Sequence, residues 1–355
     1  MSFCKGGINM YEYNIEWVNL KDKESRLEVE NFLNTFDLIL DIDVDYTIVI
    51  RKDAVIIATC SKAKSVLKCF AVNEELRGEG ITSLLISALI DKLFNQGIYH
   101  SFIFTKPDKT HIFTSLNFKL IYRNDEVALL ENGVYDINET LREMKKSYDI
   151  GDNEKAALVM NCNPFTLGHK YLIEEASKNN KKVLLFIVEE DKSLFPFKVR
   201  YEIVCKGVAH LKNVKVLPGG EYIISSATFP SYFLREKGER LRAYVDLDAS
   251  IFGKYFCKSL NITRRYVGEE PYCNVTEVYN EALCEVLPRY GVEVLQVSRK
   301  EFNHIAISAS RVRNLIKEDC ISDLNKLLPQ VTLEFLNTSL GREIVEKIKN
   351  SNSPH

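Results

Sequence analysis

The sequence has almost no excess of charge of either sign. Its 355 residues carry 47 Lys and Arg against 49 Asp and Glu, a formal net charge of −2. No global basic field is present to hold a nucleic acid or an anionic membrane surface. Paired cysteine spacings are also lacking. The nine cysteines (Cys4, Cys60, Cys69, Cys162, Cys205, Cys257, Cys273, Cys284 and Cys320) are odd in number and none forms a CxxC pair. Most sit in apolar runs such as KCF and VMNC, which predicts reduced, buried thiols and argues against a disulfide framework or a zinc site. No run reaches the roughly 18 apolar residues that a membrane span needs, and the opening MSFCKGGINMYEYNIEW has no apolar signal core. There is no internal repeat and no low-complexity tract. His100, His111 and His210 are scattered singly, without metal-ligand spacing. The expectation is a soluble, cytoplasmic, globular chain. Its 46% hydrophobic and 27% charged residues suffice for sizeable cores, and its length favours two domains over one.

A seam lies after the strand-like EVALLENG. The segment Asn138 to Lys155 (NETLREMKKSYDIGDNEK) has little apolar content beyond Leu141, Met144, Tyr148 and Ile150, and a new buried strand, AALVM, follows. This places one domain over residues 1–148 and a second over 149–355. In the first, YTIVI, VIIATC and LKCFAV are short runs rich in β-branched residues between charged turns, as neighbouring antiparallel strands are. A glycine turn, the apolar-periodic ITSLLISALIDKLFNQG and the strands SFIFT, FKLIYR and VALLE complete an α+β unit. In the second, AALVM, KVLLFIV, VKVLP, TRRYV and VEVLQV alternate with helical stretches. That alternation predicts a doubly wound parallel sheet, so the whole chain reads as α/β.

The chemistry concentrates in AALVMNCNPFTLGHKYLIEEA. A buried strand ends, a short Pro-containing loop follows, and a helix begins near His169. A helix N-terminus offers unpaired amides and a positive dipole end, which suits phosphate. Gly168 permits close backbone approach. His169, in the first turn, is placed to stabilise charge that develops on a phosphate oxygen. Parallel sheets bind ligands beyond the carboxyl ends of their strands, where this loop falls. Cys162 beside the loop ends a buried strand and reads as packing. Asp191 and Lys192, after KVLLFIVEE, point to the same end of the sheet as secondary candidates.

Thr166-Leu167-Gly168-His169 resembles the TxGH form of the HxGH/TxGH nucleotidyltransferase superfamily. That superfamily carries a later motif, ISSTxxR, and here ISASRVR (Ile307 to Arg313) stands in its place, with Ala309 and Ser310 for Ser and Thr. The resemblance implies that His169, Thr166 and Arg313 act in catalysis. It assigns the nucleotide to Asn163, Phe165, Gly168, Gly268, Ser308 and Ser310. Arg200, in FPFKVRYEIV, and the Gly268-Glu269-Glu270-Pro271 turn after TRRYV are further candidates. In the first domain, LKCFAVNEELRGEGITSLLISAL resembles motif A of the GNAT N-acetyltransferases. Arg77, Gly78 and Gly80 fit a loop that cradles an acyl-CoA pyrophosphate, and Thr82 replaces the usual Gly or Ala.

A GNAT-like domain ahead of a TxGH domain, together with EDKSLFPFKVR, EYIISSATFPSYFL and TRRYVGEEPYCNVTEVYNE, resembles the citrate lyase ligase family from about Tyr13 to Leu340. The resemblance implies an acid–thiol ligase. ATP and acetate form acetyl adenylate and pyrophosphate, then the prosthetic-group thiol of the citrate lyase acyl carrier subunit takes the acetyl group and releases AMP. ATP and Mg2+ are the implied cofactors, with no carboxylate constellation visible to hold the metal, and neither nucleic acid nor membrane is an implied partner. Two other readings stay open: an adenylyltransferase acting on a phosphopantetheine-like acceptor, and a non-enzymatic nucleotide or acyl-CoA sensor.

Overall fold

The computed structural model describes residues 13–76, 78–190, 193–229, 239–270 and 274–351. Arg77, Asp191, Lys192 and Pro271 therefore lie outside the described residues. Two compact units are present, residues 1–136 and 137–355.

The first unit is a seven-stranded sheet in the order β1-β2-β3-β4-β5-β7-β6. The strands are β1 (Ile15–Val18), β2 (Tyr46–Lys52), β3 (Val55–Ala63), β4 (Val66–Val72), β5 (His100–Thr105), β6 (Lys119–Arg123) and β7 (Ala128–Gly133). Helix α1 (Lys23–Asn34) and helix α2 (Ile81–Asn95) cover opposite faces; the short α3 (Thr110–Thr114) precedes β6. Burial on both faces explains why β2 and β3 read as nearly continuous apolar runs. Ile48 and Ile50 pack in the α2 core with Leu85, Leu89 and Leu93, while Val49 packs with Val29 and Leu33 of α1. All neighbours are antiparallel except β4 and β5, which run parallel and pair only at Val66↔Phe102 and Leu67↔Ile103. The Gly78–Gly80 turn follows β4 and opens α2, with Gly78 at φ 90° and Gly80 at φ 78°. A Cβ at either glycine would meet nothing within 4 Å, so backbone conformation alone selects glycine there.

The second unit opens with helix α4 (Ile137–Ser147), followed by the parallel strands β8 (Lys155–Met160), β9 (Val183–Ile187), β10 (Val214–Pro218), β11 (Ile262–Gly268) and β12 (Glu293–Val297). Their order is β10-β9-β8-β11-β12. The first strand lies centrally and the winding reverses between β8 and β11, which creates a crevice beyond their carboxyl ends. Helices α5 (Leu167–Asn179) and α6 (Phe197–Val208) pack on one face through Leu158, Leu185, Ile187 and Tyr266. On the other face Phe186 meets Phe252 and Phe256 edge-on. Those two rings belong to a π-helical stretch (Phe252–Cys257) between α7 (Glu239–Ile251) and α8 (Lys258–Leu260). Next come α9 (Asn274–Val286), a two-stranded hairpin of β13 (Glu301–Phe302) and β14 (Ile305–Ala306), then α10 (Ala309–Lys317), α11 (Gln330–Leu336) and α12 (Ser339–Asn350).

The division between units falls earlier than the expected 148/149 seam. Helix α4 is polar on one side, but Ile137, Leu141 and Met144 at helical spacing are buried, and the helix packs on the π-helical stretch and α8 of the second unit. Among the described residues no helix is long and apolar enough to cross a membrane. The seven described cysteines are free thiols; Cys60, Cys162 and Cys257 are buried, whereas Cys284 and Cys320 are exposed, contrary to uniform burial.

Three buried apolar side chains on α4 are worth several kcal/mol, at about 1.5–3 kcal/mol each. A fragment beginning at residue 137 should therefore melt cooperatively and well above one beginning at 149. Equal melting temperatures in calorimetry would place α4 outside the cooperative unit.

Candidate active site

The site is built where β8 ends. The chain turns through Asn161, Cys162, Asn163 and a cis Pro164, then enters α5. Thr166 is its N-cap: extended backbone, with Oγ1 accepting from the His169 amide at 3.3 Å. His169 stands at the third helical position and completes a capping box, its Nδ1 accepting from the Thr166 amide at 3.1 Å. That donor is a backbone N–H, so Nδ1 carries the lone pair and the proton of the neutral ring resides on Nε2. Burial, then the positive charges of Arg299 and Arg313, lower the His169 pKa to about 4. At neutral pH this imidazole is uncharged and presents Nε2–H as a fixed donor.

The second motif meets the first by direct contact. Ser308 caps α10, its Oγ accepting from the Arg311 amide at 3.1 Å. Immediately before it, the Ile307 carbonyl lies where a Cβ on Gly168 would be, 2.5 Å away. Arg313 is buried and donates through Nη1 to the Asn163 carbonyl, while its Nη2 reaches the exposed Ser310 Oγ at 3.4 Å. Two helix N-termini thus converge, and the first-turn amides of Gly168, Ala309 and Ser310 have no acceptor within their own helices. The C-terminal segment braces the same loop. Thr332 Oγ1 donates to the Phe165 carbonyl at 2.9 Å, and the Leu167 amide donates to the Leu327 carbonyl at 2.8 Å.

Other candidates take different places. Phe165 is fully buried, against Gly207 and beneath His169, with ring centroids 6.2 Å apart. It is a floor for the histidine, not a surface facing a ligand. Thr166 is likewise buried and spent on His169, so it positions that ring. Asn163 Oδ1 accepts from the Phe195 amide at 3.1 Å, which leaves Nδ2 as a buried donor without a partner. Arg200 is no surface residue. It is buried and donates to five acceptors: the carbonyls of Phe195, Asn161, Val188 and Glu190 and the Asn161 side chain. It ties the ends of β8 and β9 together and has little left for a ligand. Gly268 ends β11 beside Leu172 of α5 with room for a Cβ at 3.5 Å, so space alone does not demand glycine there. The Cys162 thiol is pushed up to about 12 by burial, as suits packing. His100 pairs with Glu131 at 3.0 Å inside the first unit.

Family models and relatives agree with this architecture. A model described as the citrate lyase ligase C-terminal domain matches residues 155–336, and one for the acetyltransferase (GNAT) family matches residues 13–112. A citrate (pro-3S)-lyase ligase of Escherichia coli (strain K12) is 34% identical over 329 residues, covering 91% of this chain and 93% of that protein. The chain belongs to the citrate lyase ligase family. Another such ligase, of Klebsiella pneumoniae, is 34% identical over 322 residues, covering 89% and 94% of the two chains. A phosphopantetheine adenylyltransferase of Corynebacterium efficiens is 25% identical over 147 residues, covering 39% of this chain and 87% of that one. As a member of the citrate lyase ligase family the chain is an enzyme, an acid–thiol ligase, and its nucleotidyltransferase-type unit holds the crevice just described.

The sequence reading missed Arg299 and Lys300, which follow β12. Arg299 lies near enough to depress the His169 pKa, and Lys300 Nζ sits 6.0 Å from the Tyr171 ring of α5. Their signal was weak, because two cations after a strand resemble any solvated turn. In the GNAT-like unit, Gly78 and Gly80 form the turn before α2, and Thr82 lies in its first turn. Tyr13 donates to Glu79 between the two glycines at 2.8 Å.

The neutral histidine has a direct test. In the free protein its ring signals in NMR should titrate near pH 4, with no inflection between pH 5.5 and 8. The folded pKa is depressed below 6.5, so His169 contributes stability that is present above that value and is lost as pH falls from about 6.5 towards 4. An inflection close to 6.5 would mean that the ring is solvated and the capping box is not maintained.

Proposed function

We propose that this ligase activates acetate with ATP as acetyl adenylate and passes the acetyl group to the prosthetic-group thiol of the citrate lyase acyl carrier subunit. The convergence of two helix N-termini on His169 and Arg313, beyond the strands where the sheet reverses, supports this reading most strongly. An acetate oxygen attacks the α-phosphorus of ATP, the bond to the β-phosphate oxygen breaks, and pyrophosphate leaves. The carrier thiol then gives up its proton and attacks the acetyl carbon, and AMP departs with the electron pair of the acyl–oxygen bond. The protein's part in the first step is positioning and electrostatics. First-turn amides and the Nε2–H of His169 donate to oxygens that gain charge, without the reorganisation that water would need.

Among the described residues no group of three His, Cys, Asp or Glu stands close enough to hold a metal ion. A protein-held magnesium site does not fit them, and in this proposal magnesium arrives on ATP as part of the substrate. A second reading, adenylyl transfer to a phosphopantetheine-like acceptor, has the support of the partial likeness to phosphopantetheine adenylyltransferase. The products separate the two: AMP with an acyl thioester, or a dinucleotide-like molecule.

Acetate-dependent exchange of labelled pyrophosphate into ATP tests the first step. His169→Ala should reduce it by about 10²–10³-fold, the usual cost of one preorganised donor. Exchange that ignores acetate would defeat the proposal.

The GNAT-like turn would take the CoA-like arm of the carrier. Gly80→Asp keeps a residue type that tolerates left-handed backbone and adds a carboxylate. It should raise the KM for the carrier protein and leave acetate-dependent exchange unchanged. Loss of both activities in a folded variant would remove the turn from carrier binding.

A further inference from the structure

We propose that Arg299 is a further substrate-contacting cation of this site, binding the phosphate oxygens that leave as pyrophosphate, with Glu270 holding it in place before ATP arrives. The inference rests on the adenylate-forming reading above. Arg299 follows β12 by two residues, and its side chain turns back over the end of β11: Nε donates to the Glu269 carbonyl and Nη2 to Glu270 Oε2. That direction leads to the crevice between β11 and β8. The next residue continues the path. The Lys300 carbonyl accepts from the Ile307 amide at 2.9 Å, and the Ile307 carbonyl is the group pressed against Gly168. The segment carrying Arg299 is therefore tied by a hydrogen bond to Ile307, whose carbonyl packs against the turn that carries His169.

Among the described residues, Arg313 is bound to the Asn163 carbonyl and two other arginines at this end of the sheet are otherwise committed. Arg200 is saturated by five acceptors, and Arg311 donates to the carbonyls of Phe302 and Ile305 in the hairpin. Among the described residues Arg299 Nη1 has no hydrogen-bond partner. Its carboxylate partner is only 10% exposed, so the pair is shielded and its geometry well held. The lowered His169 pKa, in which Arg299 is the larger of the two charge effects, agrees with a guanidinium that faces the same space. A pyrophosphate leaving group carries more charge than one arginine and a neutral histidine can offset, and a forked guanidinium matches two of its oxygens at once.

The test is MgATP binding by calorimetry in the full chain, wild type against Arg299→Gln and Arg299→Lys, with His169 titrated by NMR in each. Arg299→Gln should weaken ATP binding about 10- to 100-fold and move the His169 pKa upward. Arg299→Lys should keep the low His169 pKa but lose part of the ATP affinity, because the charge stays and the fork is lost. In the exchange assay the KM for acetate should stay within about twofold. Unchanged ATP affinity in either variant with wild-type melting would overturn the proposal. So would a rise in the acetate KM alone, which would assign Arg299 to the carboxylate. Calorimetry needs no acetate chemistry: a wild type that binds ATP but shows no acetate-dependent exchange loses the proposed reaction and still decides the role of Arg299. A wild type that binds no ATP overturns both.

Discussion

A Cβ on Gly168 would lie 2.5 Å from the Ile307 carbonyl oxygen, well inside contact distance. Because that atom is missing, the turn before α5 and the turn before α10 can touch. They are 139 residues apart in the chain (307 − 168), so no local preference brings them together. The rest of the site follows from the contact. Arg313 reaches back to the Asn163 carbonyl, the Ser308 cap sets α10, and the C-terminal segment binds the same loop through the Thr332 hydroxyl, which donates to it, and the Leu327 carbonyl, which accepts from it. Each of these bonds alone contributes about 1 kcal/mol. Together they fix the direction of two helix ends to within the tolerance that phosphate chemistry needs.

The converging ends carry like partial charges, and two guanidinium groups join them. Such a site repels its own parts when empty, and the protein limits the cost in two ways. His169 stays neutral, since its Nδ1 is occupied by the Thr166 amide and its surroundings disfavour a proton. Glu270 lies against Arg299 and offsets one full charge. The remaining positive potential is fixed in direction, so an anion that enters meets donors already aimed. Anything that binds only the folded protein also stabilises it by mass action, so nucleotide should raise the stability of the second unit in particular.

Much of this was legible in the sequence, for identifiable reasons. The sheets could be read because buried strands are apolar and short, and because glycine and charged residues punctuate them: YTIVI, VIIATC, KVLLFIV and TRRYV all form strands. The TxGH turn could be read because a strand, a glycine and a helix stand in sequence. What escaped depended on distance. Arg200 in a helix and Arg299 after a strand look alike as sequence, yet one is fully buried under five acceptors and the other borders the crevice. Phe165 lies within the motif, and only the packing of Gly207 against its ring reveals a core residue. By its polarity helix α4 reads as part of the first domain, whereas the buried Ile137, Leu141 and Met144 place it with the second.

The same logic distinguishes the two glycine turns of the chain. Both follow a strand and open a helix, and by geometry alone either would suit phosphate. Their electrostatics differ. Around His169 the nearby charged groups are Arg299 and Arg313. Around Gly78 and Gly80 the segment from Asn73 to Gly80 contains Glu74, Glu75 and Glu79 beside a single cation, Arg77, and Glu79 accepts a hydrogen bond from Tyr13. A triphosphate would meet a net acidic segment at the second turn and two guanidinium groups at the first. In the proposed reading, the pyrophosphate of a CoA-like arm at the GNAT-like turn would depend on backbone amides and one cation. Its binding should respond to salt less steeply than nucleotide binding at the TxGH turn, where two guanidinium groups stand. The two turns thus differ in the charge they would offer an anionic group: net acidic at one helix N-terminus, flanked by guanidinium groups at the other.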